Sequence, residues 1–325
     1  MEQRESLENL VSPPEIESTI IKAFSLPKDY SIYINQIHEK VNNFINLNIW
    51  RGIEKIKLKQ WLKNFISDEE KYFAACLLDN LIYRNDSQTE SMLFNLISID
   101  IPNLLLKYKP DGVDPYVTLG GFNSATEPKV RLVCVKSEFD SPTKSSHFIA
   151  RMLKRKMMIH ERWIITPDKI QHCIDSGTKC FLFIDDFLGT GSQFNDMAIE
   201  INLKSKLNLP DVFFAYTPLT AHSTGIDFLN AEYTKLKVTC VEKLNESNSI
   251  FNTAFNDGVN TPEGSKQFYL DFMKRKSGIS AITEDILLGY GKLELTYVFE
   301  QAVPDNNIPL IYWNANSSID SLFYR

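Results

Sequence analysis

Apolar positions along the chain follow a helical period over its first third and strand–helix alternation afterwards. Between Glu15 and about Leu106, Ile16, Ile20, Ile21 and Phe24 recur at helical spacing, and so do Ile32, Ile34, Ile37, Val41, Phe44 and Ile45. Ile56, Leu58, Trp61, Leu62 and Phe65 mark a further amphipathic helix. Ser67 is the expected N-cap of DEEKYFAACLLDNLIYR, because Asp68, Glu69 and Glu70 fall in the first turn, where the helix dipole favours acids. Glu90–Leu106 reads as one more helix, interrupted near Pro102. Residues before the Pro13–Pro14 pair read as a loose lead.

Pro110, Gly112, Pro115, Gly120, Gly121 and Pro128 punctuate the next stretch and set a boundary, giving a helical region over 1–107 and a second domain over 108–325. The second domain alternates strands with helices, the pattern of a parallel sheet covered on both faces. Strands are expected at VRLVCV (130–135), ERWIIT (161–166), 180–186, DVFFAYTPL (211–219), LKVTCVEKL (236–244), near Glu294–Phe299 and near Ile308–Trp313. Helices are expected at HFIARMLKRKM, from Pro167 to about Ser176, after Gln193, around Thr220–Tyr233 and near Pro262–Lys276. The fold class is therefore α/β, a mostly parallel sheet with helices on both faces, preceded by a helical N-terminal region.

One stretch carries concentrated chemistry. In Cys180–Gln193, CFLFIDDFLGTGSQ, four apolar residues run into Asp185–Asp186 and then into a Gly189-Thr190-Gly191-Ser192 turn before a helix. Glycines let backbone N–H groups approach an anion, and a helix N-terminus favours negative charge. Two carboxylates beside such a loop suit a ligand with hydroxyls or a divalent metal as well as phosphate, and a sugar phosphate has both. The bland alternative is a strand followed by an Asp-rich turn.

Phe181–Ile184, Asp185–Asp186, Phe187–Leu188 and Gly189–Ser192 match, position by position, the phosphoribosyl-pyrophosphate (PRPP) motif of type I phosphoribosyltransferases, and the chain resembles that superfamily. The resemblance implies a sheet of the phosphoribosyltransferase type. It implies that Asp185 and Asp186 are the catalytic carboxylates, contacting the ribose hydroxyls and a Mg²⁺ ion. It also implies that Gly189, Thr190, Gly191 and Ser192 hold the 5′-phosphate. By the same analogy Lys136, Ser137, Asp140 and Ser141, in the loop after the first strand of the sheet, would hold the pyrophosphate. On the residues alone that loop equally suits an ordinary polar turn capping the next helix at Ser145 or Ser146. One position departs: the family loop usually closes on Thr or Ser, and here Gln193 stands there. With FDSPTKSS, the segment GYGKLELTYVFEQAVPDNNIPLIYW and the closing SLFYR, the chain resembles more narrowly the phosphoribosyltransferase-like proteins of bacterial conflict (anti-phage) operons. That group often has Phe-Glu-His where this chain has Phe299-Glu300-Gln301, so no histidine role transfers.

The remaining composition narrows the picture. A hydrophobic fraction of 43% with 12% aromatics belongs to a folded chain of 325 residues, and a net charge of −6 argues against broad nucleic-acid binding. No apolar run is long enough to span a bilayer, and MEQRESLENLVSPPEIES has no secretory pattern, so a cytoplasmic protein is expected. The five scattered cysteines read as reduced core residues, and no histidine pairing suggests zinc. The basic run Arg151, Lys154, Arg155, Lys156, His160 and Arg162 reads as a solvated helix face rather than a nucleic-acid contact. Tyr216–Pro218 is a candidate wall for an acceptor base, and His222 reads more readily as structural than as catalytic. The expected partner is a small ribose phosphate such as PRPP, with Mg²⁺. A protein or nucleic-acid partner from the same operon and a homo-oligomer stay open. So does the choice between pentosyl transfer and a non-catalytic sensor of ribose phosphates or nucleotides.

Overall fold

The computed structural model describes residues 22–116, 129–135, 146–255, 258–277, 283–313 and 319–324. Helices α1 (Tyr30–Asn46), α2 (Lys55–Leu62) and α3 (Asp68–Asn80) lead into a short strand β1 (Ile82–Arg84). Helices α4 (Asp86–Asn95) and α5 (Ile101–Tyr108) follow, joined by a π-helical turn over Leu96–Asp100. The main sheet begins with β2 (Val130–Cys134), then α6 (Ser146–Arg155), β3 (Ile164–Ile165), α7 (Ile170–Asp175) and β4 (Cys180–Leu188). After β4 come α8 (Ser192–Glu200), α9 (Leu203–Lys206), β5 (Phe213–His222), α10 (Ser223–Glu232), β6 (Lys237–Val238) and β7 (Glu242–Leu244). The chain closes with α11 (Ile250–Ala254), α12 (Pro262–Ser277), α13 (Glu284–Leu287) and β8 (Tyr297–Phe299).

The sheet runs β3-β2-β4-β5-β6 with β7 also on β5, and every pairing is parallel. A mixed α/β architecture with parallel sheets and a helical lead is thus what the chain adopts. Period-two alternation along β4 explains the layering. Cys180, Leu182 and Ile184 face one core with residues of α4, α5 and α6, while Phe181 and Phe183 face another with Phe194, Met197 and Leu229 from α8 and α10. The sheet is buried on both faces, as an all-parallel sheet requires.

A third core lies outside the sheet. There α1, α2 and α3 pack with α11, α12 and the segment Ile308–Phe323 through Val41, Trp61, Phe73, Phe251, Phe272 and Leu310. Trp61 is fully buried and its indole N–H donates to the Leu310 carbonyl at 3.0 Å. Ser67 caps α3 as expected, in a reciprocal capping box with Glu70. Burial would push the Glu70 carboxyl up, but the N–H groups of Ile66 and Ser67 and the Arg275 guanidinium at 2.7 Å outweigh it and hold the carboxyl low.

Several boundaries differ from the periodicity reading. Residues 22–27, including Phe24, are not helical, and Phe24 enters the core from extended chain, 4.4 Å from the Phe268 ring centroid. Helix α3 ends at Asn80, and Ile82–Arg84 forms a strand against Tyr297–Phe299. Pro102 sits in the first turn of α5, where its missing N–H costs nothing, and the irregularity precedes it as the π-turn. The expected strand at 236–244 is two short strands, and Ile308–Trp313 is not a strand but holds a 3₁₀ turn over Pro309–Ile311. None of the helices among the described residues is long and apolar enough to cross a membrane.

Candidate functional site

The strand order sets the position of the site. From β2 the chain crosses to β3 on one side, and then returns to place β4 on the other side of β2. This is a topological switch point, and open parallel sheets bind ligands beyond the carboxyl ends of the strands there. Residues 136–145 follow β2 in the sequence, and Lys136, Ser137, Asp140 and Ser141 among them lie outside the described residues.

Asp185 and Asp186 come from β4, which continues past them to Leu188 because Asp185, Phe187 and Leu188 stay in register with Pro218, Thr220 and Ala221 of β5. Both carboxylates are nearly buried, Asp185 to 2% exposure and Asp186 to 7%. Asp185 accepts hydrogen bonds from the Tyr216 hydroxyl at 3.1 Å and from the Asp186 backbone N–H at 3.0 Å. Burial, and then the adjacent Asp186 charge, pushes the Asp185 carboxyl well above the usual carboxylate range. Burial and Asp185 likewise push the Tyr216 hydroxyl up, so it stays a donor.

Gly189–Ser192 joins β4 to α8. Gly191 takes φ +89°, a left-handed conformation open to glycine, and is the residue before the first turn of the helix. The Thr190 and Ser192 hydroxyls lie 3.1 Å apart at the same helix N-terminus, which has no acidic residue in its first turn. The four loop residues, the two aspartates and Gln193 all line one cavity of about 810 Å³. The C-terminal segment forms another part of its wall: Tyr290, Gln301, Val303, Pro304, Asp305, Asn306 and Tyr324.

Periodicity gave no hint of that wall. Its placement depends on Asn307, fully buried, whose amide donates to the carbonyls of Tyr297 and Pro304 at 2.8 Å each and whose side-chain oxygen accepts from the Tyr297 N–H. Asn306 beside it donates to the Tyr290 carbonyl at 2.8 Å and abuts Gly189 so closely that a β-carbon there would overlap its amide. The signals in the sequence were the segment GYGKLELTYVFEQAVPDNNIPLIYW, with its Asn306-Asn307 pair, and the closing SLFYR.

Tyr216 lines the cavity at its floor, stacked on Phe194 with centroids 4.4 Å apart, whereas Pro218 is absent from the lining. His222 is structural. Its Nδ1 accepts from the Thr224 N–H at 3.2 Å at the start of α10, and burial lowers its pKa. The basic run is a solvated surface with acid partners, Lys154–Glu161 at 2.6 Å and Lys156–Glu90 at 3.0 Å. None of the five cysteines forms a disulfide.

Among the described residues, no group of three or more His, Cys, Asp and Glu side chains is placed to hold a metal. Two touching carboxylates nevertheless fit Mg²⁺, which takes one or two protein carboxylates and fills its shell with water and ligand phosphate oxygens. Asp185 and Asp186 are the residues that would hold it.

A parallel α/β sheet carrying an acidic pair, a glycine loop and a helix N-terminus at its switch point defines a phosphoribosyltransferase-like protein. The PRTase-CE family model matches residues 58–325, most of the chain, and the chain belongs to that family. Neither a curated protein nor a solved structure matches the chain.

Proposed function

We propose that this protein binds PRPP or a related ribose phosphate and carries out transfer or cleavage at the anomeric carbon of the ribose. The supporting observation is convergence. Asp185, Asp186 and all of Gly189–Ser192 line a single cavity at the switch point of the sheet. In this reading the loop N–H groups and the helix dipole take the 5′-phosphate, and the aspartates accept from the ribose 2′- and 3′-hydroxyls. The bond from the anomeric carbon to the pyrophosphate oxygen breaks, the electron pair leaves with pyrophosphate, and a lone pair of the acceptor forms the new bond. Asp185 and Asp186 would hold a Mg²⁺ ion, which would supply positive charge for the departing pyrophosphate, and catalysis is otherwise positioning and charge stabilisation. The biological setting proposed is a bacterial anti-phage or conflict system, with the protein in the cytoplasm.

Calorimetric titration of PRPP with Mg²⁺ into the wild-type chain and into Asp185→Asn/Asp186→Asn tests the binding. Saturable binding lost in the double variant supports it, and equal affinity in both overturns it. The other reading, a sensor without turnover, draws on the depth of Asp185 and its bond to Tyr216. Pyrophosphate release in the presence of a cell extract separates the two.

A further inference from the structure

Helix α2 carries a charge pattern that neither the cavity nor the core uses. Its inner face is Leu58 and Trp61, buried in the third core. Its outer face is basic, because Lys55, Lys59 and Lys63 are exposed and follow one another at i, i+4 and i+8. Positions four apart form one ridge along a helix, in steps of about 6 Å. Ile56, 56% exposed, and Gln60 lie beside that ridge. Lys57 closes the arc at its edge, with its Nζ 4.1 Å from the centre of the Tyr324 ring. Tyr324 is 74% exposed and also lines the cavity, whereas none of the three ridge lysines does. Helix stability does not account for the pattern. Lys59 suits the last turn, but like charges four apart repel, and Lys55 in the first turn opposes the helix dipole with no acid there to offset it. Among the described residues, none of Lys55, Lys59 and Lys63 enters an ion pair. Asp68, which follows α2 in the sequence, is engaged by Tyr30 at 2.9 Å and Lys71 at 3.1 Å. The basic run on α6 differs, since Lys154 and Lys156 there have acid partners.

We infer that the outer face of α2 is a docking surface for single-stranded nucleic acid, with phosphates along the lysine ridge and a base against Tyr324. Its occupancy requires no ligand in the cavity. Charge complementarity is the ground: a line of single positive charges at regular steps matches a backbone of single negative charges at regular steps. The chain as a whole has a net charge of −6, so attraction is confined to this line and does not spread over the surface. Single strands are held by basic tracks of this kind beside aromatic rings, on which any base stacks. An anionic membrane presents a plane instead, and an interfacial helix meets it with an apolar face. The arc offers one exposed apolar side chain, Ile56, among lysines.

The test is fluorescence anisotropy of a labelled thymidine oligonucleotide with the full chain, between about 50 and 200 mM KCl. Log affinity should fall with log salt at a slope of about −2, three phosphate contacts at about −0.7 each. Lys55→Ala, Lys59→Ala and Lys63→Ala should each reduce the steepness by about 0.7. Tyr324→Ala should weaken binding about fivefold or more and leave the slope as it is. The triple variant Lys55→Glu/Lys59→Glu/Lys63→Glu should bind no oligonucleotide, while Lys154→Ala/Lys156→Ala binds as wild type. Thermal melting within a few degrees of wild type shows that a variant folds, and the single alanine variants, at exposed positions, decide the matter if the triple variant does not. Absence of saturable binding by the wild-type chain, or equal affinity and slope in the lysine variants, overturns the inference. So does capture of the chain by phosphatidylserine-containing vesicles in place of the oligonucleotide.

Discussion

Asn306 lies against Gly189, and there is no room for a β-carbon between them. A residue of the C-terminal segment thereby fixes the first residue of the loop that follows the acidic pair. Gly189→Ala must push the segment away or shift the loop. The expected cost is about 1–3 kcal/mol of stability by urea denaturation, the range for overpacking, with at least about a tenfold loss of PRPP affinity by calorimetry. A variant with unchanged stability and affinity would show that the contact is not tight.

Asp185→Asn should separate stability from binding. A buried carboxylate beside Asp186 is replaced by a neutral amide that can still accept from Tyr216. At pH 7.5 the ligand-free variant is expected to melt about 2 °C or more above wild type, while PRPP binding falls below detection. A variant that melts lower and binds normally would contradict both halves.

Proton release should accompany ligand binding. The folded-state pKa of Asp185 lies above its ordinary 3.8, so its contribution to stability is fully present below that value and is lost as pH rises through the raised one. Ribose hydroxyls or Mg²⁺ favour the ionised form and would drive the proton off Asp185. Titrations of the wild-type chain in buffers of different ionisation enthalpy should therefore give a proton release that declines as the pH is raised past the Asp185 transition. Proton uptake would reverse the assignment.

Trp61→Phe should weaken the tie between α2 and the C-terminal segment. The ring fills most of the space, but the Leu310 carbonyl loses its buried donor. The expected loss is about 1–3 kcal/mol by urea denaturation, the cost of an orphaned buried acceptor. A loss under about 0.5 kcal/mol, the scale of a neutral surface change, would mean that water replaces the indole.

What the sequence showed clearly was local. Cys180–Ser192 could be read as strand, loop and helix start because apolar run, acids and glycines follow one another without interruption. Ser67 was legible as an N-cap because Asp68, Glu69 and Glu70 follow it directly in the first turn. Contacts between distant residues were not legible. Phe24 looks like a helix position by spacing, yet its burial is decided by Phe255 and Phe268, more than two hundred residues away. The strand at Ile82–Arg84 exists because Tyr297–Phe299 is there to pair with it, while the preceding residues continue a helical pattern. The C-terminal part of the cavity wall depends on the Asn307 amide bonding the backbone at Tyr297, which no period encodes.

The segment from Tyr290 to Phe323 joins the first core of the chain to the last wall of the cavity. It also emerges from the ribosome after every strand of the main sheet. Synthesis adds about 5–20 residues per second, and domains fold as units. Helices α1–α3 are thus made long before the C-terminal residues that cover their apolar face, and the acidic pair and phosphate loop before the segment that completes the lining of the cavity.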